Sequence, residues 1–76
     1  MDTKLTSVEE GKLCTIQYIN AGQKATKRLF EMGLHTGALA RVKKNDNMGP
    51  LILGIHGSNV AVGRKIADNI FVKVGE

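Results

Sequence analysis

Lys27-Arg28-Leu29-Phe30-Glu31-Met32-Gly33-Leu34-His35-Thr36-Gly37 is the stretch that decides how this chain folds. Ala25, Leu29 and Met32 follow the i, i+4, i+7 spacing of one helix face and leave Lys24, Lys27, Arg28 and Glu31 for solvent. Gly33 stands where a helix takes a left-handed cap residue, a conformation glycine adopts without a Cβ penalty. Leu34, directly after it, is placed to fold back on the last helical turn. Gly37 permits a second turn before the apolar run Ala38-Leu39-Ala40-Arg41-Val42. The segment predicts a helix, a tight reversal and a strand.

Working outward, Leu5 and Val8 are expected to cover one end of the core, around a helical turn capped by Ser7, carrying Glu9 and Glu10 and ended by Gly11. Leu13 to Ile19 alternates as a strand, with Cys14, Ile16 and Tyr18 on its inner side and Thr15 and Gln17 on its outer side. A second strand spans Leu39 to Lys44, with Ala40 and Val42 inward. Asn45-Asp46-Asn47-Met48-Gly49-Pro50 is dense in turn formers and predicts a hairpin loop. Leu51 to Ile55 is the third strand, with Leu51, Leu53 and Ile55 inward, and Gly57-Ser58-Asn59 makes the next turn. Val60 to Val62 is a short fourth strand and Arg64 to Asp68 a helical turn. Asn69 to Val74 closes the fold, with Ile70, Val72 and Val74 inward. The expected architecture is mainly β: a small antiparallel barrel of about five strands, one helix inserted between strands one and two, and a short helical turn near the C-terminus.

Seventy-six residues form one domain, expected over 1–76, and a chain this short buries on the order of 60–65% of its unfolded surface. That size weighs against a walled active site, so no enzyme is expected. The single cysteine, Cys14, excludes an internal disulfide and suits a reducing compartment. No stretch approaches the roughly 20 apolar residues of a membrane span, and Met1-Asp2-Thr3-Lys4 does not begin a signal peptide. The expected location is cytoplasmic. The net charge is +4, with the cations gathered in the middle of the chain, which favours an anionic partner: an acidic protein surface, lipid headgroups or nucleic acid.

Metal ligation is weakly supported. Cys14, His35, His56 and the three methionines are the candidates, and none falls at a dense ligand spacing such as C-x-x-C or H-x-x-x-H. Cys14 takes an inward strand position, while either histidine could hold ferrous iron or zinc only by pairing with a second copy. No other cofactor is expected. Gly11-Lys12 lacks the flanking residues of a phosphate-binding loop, and no nucleophilic triad is apparent. Proline-rich peptides need an aromatic-lined groove, and the only aromatics are Tyr18, Phe30 and Phe71. A basic barrel binding nucleic acid is the alternative from another class, although interleaved stacking aromatics are missing. The best site signal is apolar residues on the outer side. Alternation turns Leu39, Ile52 and Phe71 outward, and Phe30 lies off the main helical stripe. Converging beside Arg28, Arg41 and Lys43, these four would form a docking surface with apolar anchors and a charged rim.

The segment from Arg28 to Gly37 is similar to the arginine-leucine, glycine-leucine and proline-glycine pattern of the FeoA family. Gly49-Pro50-Leu51, the Gly57 turn, Val60-Ala61-Val62-Gly63-Arg64, Ala67 and Ile70-Phe71-Val72 extend the resemblance, which runs from Leu5 to Val74. Thr36 stands where that family usually has proline, and Asn45-Asp46-Asn47-Met48 is more polar than in many relatives. The resemblance implies an SH3-like barrel that accompanies a membrane ferrous iron transporter with a cytosolic G domain. Contact with the membrane would come only through that partner, and no nucleic acid is expected. The same barrel forms the C-terminal domain of iron-dependent repressors, which makes a metal-sensing module a further alternative. Because no helix-turn-helix fits upstream in 76 residues, that alternative would require the chain to be a fragment.

Overall fold

A computed structural model of the chain describes residues 2–75. The elements are β1 (Thr3–Lys4), a 3-10 turn (Leu5–Ser7), β2 (Leu13–Ile19), α1 (Gly22–Glu31), β3 (Leu39–Lys44), β4 (Leu51–Ile55), β5 (Ser58–Val62), α2 (Arg64–Ala67) and β6 (Ile70–Val74). The reversal after α1 forms as its sequence demands. The Gly33 amide donates to the Phe30 carbonyl at 3.0 Å and the Leu34 amide to the Leu29 carbonyl at 2.8 Å, the paired bonds of a Schellman cap. Gly33 has φ +90°, and Leu34 folds back until it is fully buried.

All strand pairs are antiparallel, in the order β1-β6-β2-β3-β4-β5. The mainly β, SH3-like architecture matches expectation, with one strand more than the sequence suggested. That strand, β1, is two residues long, too short to show a period, and exists through pairing of Thr3 with Val72 and Lys4 with Phe71. The core is built from the inward residues of the alternating strands, including Cys14, Ile16, Ala40, Val42, Leu53 and Val72, each with 0% exposure.

Four local expectations are corrected. The first helical turn spans Leu5–Ser7, so Ser7 ends it and does not cap it. A register shift between Ile16 and Tyr18 reverses the alternation of β2 there, turning Tyr18 outward while Ile19 packs against the core. Val74 and Met32, both expected inside, are 41% and 44% exposed. Finally, β5 begins at Ser58, so the β4–β5 turn is the two-residue His56-Gly57, both at positive φ as such hairpins require.

β1 and β5 lie at the two ends of the strand order, and side chains tie the surrounding segments together. The Asn45 side-chain amide donates to the carbonyls of Thr6 (2.9 Å) and Val8 (2.8 Å), and its oxygen accepts from Arg64 Nη2 at 2.8 Å. The Asn45 backbone amide donates to Glu10 Oε2 at 2.7 Å. Thr6 Oγ1 donates to Asp68 Oδ1 at 2.7 Å, joining the first turn to the end of α2. One residue of the β3–β4 loop thereby fastens the N-terminal segment to α2.

Two outcomes follow for stability. A Cβ on Gly33 would stand 3.2 Å from Ile55 Cγ2 and 3.3 Å from the His56 ring, whereas one on Gly37, with nearly the same φ, would meet nothing within 4 Å. In urea unfolding, Gly33→Ala is expected to cost about 2 kcal/mol or more and Gly37→Ala about 1 kcal/mol, the difference reporting the crowding. Asn45→Ala is expected to cost about 2 kcal/mol in the same assay, because it leaves part-buried carbonyls and a guanidinium without their partner.

Candidate functional site

The sheet presents a continuous outward face across β3, β2 and β6. Thr15 stands opposite both Leu39 and Lys73, so the three project side by side. Past the bulge, Tyr18 stands opposite Phe71, their rings tilted by 31° with centroids 6.0 Å apart, and Phe71 stands opposite Lys4. Phe30 packs on His35 with ring centroids 5.1 Å apart. Tyr18 and Phe30 wall one groove of about 450 Å³ together with His35 and Thr36. Tyr18 thus links the other two aromatic residues, lying beside Phe71 and sharing a groove with Phe30. Phe30, Leu39 and Tyr18 are 63%, 56% and 54% exposed, which makes them available as anchors.

The cations of β3 continue this face. Arg41 stands opposite Leu13 and donates from Nη1 to the Gly11 carbonyl at 2.7 Å, an anchor that fixes the guanidinium beside β2. The Lys43 stem lies so close over Gly54 that a Cβ there would come within 2.7 Å of Lys43 Cε. Arg41, Lys43 and His56 share a shallow groove with Ser58 and Asn59.

Of the seven residues expected to form one docking surface, Phe30, Leu39, Phe71, Arg41 and Lys43 share or adjoin this face. Ile52 does not: it is half-buried, opposite Lys44 and Ala61, at the far end of β3 from Leu39. Arg28 also lies apart, in a groove between α1 and α2 with Met32 and Ile66. The sequence missed Tyr18, since apolar–polar alternation runs through Gln17 without a break and nothing in it marks the bulge.

Among the described residues, no group of three His, Cys, Asp or Glu side chains is placed to hold a metal ion. Cys14 has 0% exposure, and burial pushes its thiol pKa up, the opposite of what a ligand thiolate needs. His35 and His56 line different grooves. His35 Nδ1 donates to the Thr36 carbonyl at 3.1 Å, a bond that orients the ring.

The FeoA domain family model matches residues 3–74. The chain belongs to the FeoA family, whose members are accessories of ferrous iron transport. It is 39% identical over 72 residues to "Putative Fe(2+) transport protein A" of Methanocaldococcus jannaschii, covering 95% of this chain and 87% of that protein. Its fold is similar to the crystal structure of an iron uptake regulatory protein (FeoA), with TM-score 0.91, 29% identity and coverage of 99% and 100% of the two chains. IdeR of T. acidophilum contains the same fold at TM-score 0.87 and 20% identity, over 97% of this chain and 34% of that one. Among the described residues of this FeoA-family chain, no helix is long and apolar enough to cross a membrane.

Cys14 supplies a check on the core. The folded protein is expected to resist a thiol reagent such as DTNB at about pH 8, reacting only as fast as it opens, with full labelling in urea. The unfolded thiol ionises at lower pH than the buried one, so above the ordinary thiol range the unfolded chain binds fewer protons. Stability is therefore expected to fall as pH rises there, by less in Cys14→Ala than in the parent.

Proposed function

We propose that this chain docks on the cytosolic part of a membrane ferrous iron transporter carrying a G domain, and supports or regulates uptake by contact and not by catalysis. Membership of the FeoA family supports the iron-transport setting. The observation that carries the docking surface is the outward face of β3–β2–β6, where Leu39, Tyr18, Phe71 and Phe30 form a run of exposed and half-exposed anchors. Lys4, Arg41, Lys43 and Lys73 rim that run with positive charge. Aromatic anchors supply most of the free energy at such surfaces, while rim cations govern encounter rate and salt dependence. Localisation in the cytoplasm follows from the same proposal, since the partner's G domain faces that side. No cofactor enters it.

Titration of isotope-labelled protein with the transporter's cytosolic domain tests the proposal. The amides of Tyr18, Phe30, Leu39 and Phe71 are expected to shift, Phe30→Ala to weaken binding about tenfold, and Ile52→Ala to leave it nearly unchanged. Unchanged spectra at high micromolar partner, or shifts confined to other faces, would count against it.

A further inference from the structure

The helical stripe Ala25, Leu29 and Met32 is only partly covered by the barrel. Leu29 is 3% exposed, but Met32 is 44% exposed and Ala25 only half-buried. Across from them stand Ala61, at the end of β5, and Ile66 of α2, which is 36% exposed. Together these residues wall a groove of about 440 Å³ whose charged lining side chains, among the described residues, are Lys24 and Arg28, one turn apart on α1. The groove shares no lining residue with the aromatic groove on the other flank of α1.

We infer that this groove is a second docking site, which takes a short amphipathic helix with an acidic flank supplied by a partner protein. Its walls decide the shape of the occupant. α1 and α2 keep their backbone groups in their own hydrogen bonds, and β5, an end strand of the sheet, borders the groove only at its last two residues, Ala61 and Val62, too short an edge for an extended segment to pair along. Met32 and Ala25 instead offer knobs at helical spacing, and Ile66 offers a third from the opposite wall. An incoming helix packed about 8–10 Å from α1 can set its i, i+3 and i+4 side chains between them. The charge decides the flank. Lys24 and Arg28 lie i, i+4 on the same helix, a spacing that carboxylates at i, i+4 of a partner helix can match, and no acidic lining residue competes for them. The site stands independently of transporter docking, because its residues and its ligand chemistry are its own.

The probe is a fluorescein-labelled helical peptide of about 15 residues, with leucines at i, i+3, i+4 and i+7 and glutamates on the flank. Its partner in the assay is the whole protein, and the controls are the same peptide with lysines for glutamates and vesicles of equal phosphatidylglycerol and phosphatidylcholine. The acidic peptide is expected to bind at least about tenfold more tightly than the basic one, and to weaken several-fold as salt is raised to about 0.5 M. Amide shifts are expected at Ala25, Arg28, Met32 and Ile66, with Tyr18 and Leu39 unmoved. Met32→Asp should lower affinity about tenfold, and the double variant Lys24→Glu, Arg28→Glu should reverse the preference between the two peptides. Both variants change exposed positions, and urea midpoints close to the parent's confirm that they fold. Absence of binding, equal binding of both peptides, shifts outside the groove, or tighter association with the vesicles would each overturn the inference.

Discussion

The hydrogen bond from the Leu34 amide to the Leu29 carbonyl sets where the chain leaves α1, and the placement of β3 depends on it. It closes the cap of α1 and buries Leu34, turning the chain back toward the strand it left. The return is secured at its far end too: the Gly37 amide donates to the Ile16 carbonyl at 2.7 Å and the Ile16 amide to the Ala38 carbonyl at 2.9 Å. β3 is thereby delivered beside β2 in the register that puts Ala40 next to Cys14. Were the chain to leave α1 one residue earlier or later, every side chain of β3 would change face, exchanging Ala40 and Val42 for Leu39 and Arg41. The outward position of Leu39 is a direct result of where the cap falls.

The strong periodicities were legible in the sequence, and the failures cluster where a local irregularity breaks one. β2, β3 and β4 have the bounds that alternation assigns them, and the helix stops at its glycine. Alternation points Tyr18 inward, because a bulge adds a residue without leaving a compositional trace. Met32 was placed inside because helical spacing reports which residues share a stripe and says nothing of whether the rest of the molecule is wide enough to cover it. A barrel of this size covers Leu29 and runs out of surface before Met32. The contacts of Asn45 were hidden for a different reason. Turn chemistry explains an asparagine at that position well enough that its long-range hydrogen bonds to Thr6, Val8 and Arg64 cannot be suspected from sequence. The candidate surface was half legible: alternation found Leu39 and Phe71, but only the register separates them from Ile52.

α1 is more than a connection between strands. Its two flanks line two grooves of different character, one aromatic beside β2 and one aliphatic and cationic beside α2. Phe30 and Met32, which contribute little to the core, define these flanks. IdeR of T. acidophilum has the same fold over about a third of its length, yet similarity at 20% identity carries only the architecture.

The position of β6 has a consequence for how the chain comes to be folded. β2 through β5 pair each with the next, so that part of the sheet is built from contacts between neighbouring segments. β6, far from both in sequence, inserts between β1 and β2 and pairs with each. Until it arrives, the free edge of β2 carries unpaired backbone groups and β1 has no partner at all. Closing the sheet is therefore a long-range step, in which β6 must find β1 and β2 at once, and the edge of β2 stays open to other strands until it does.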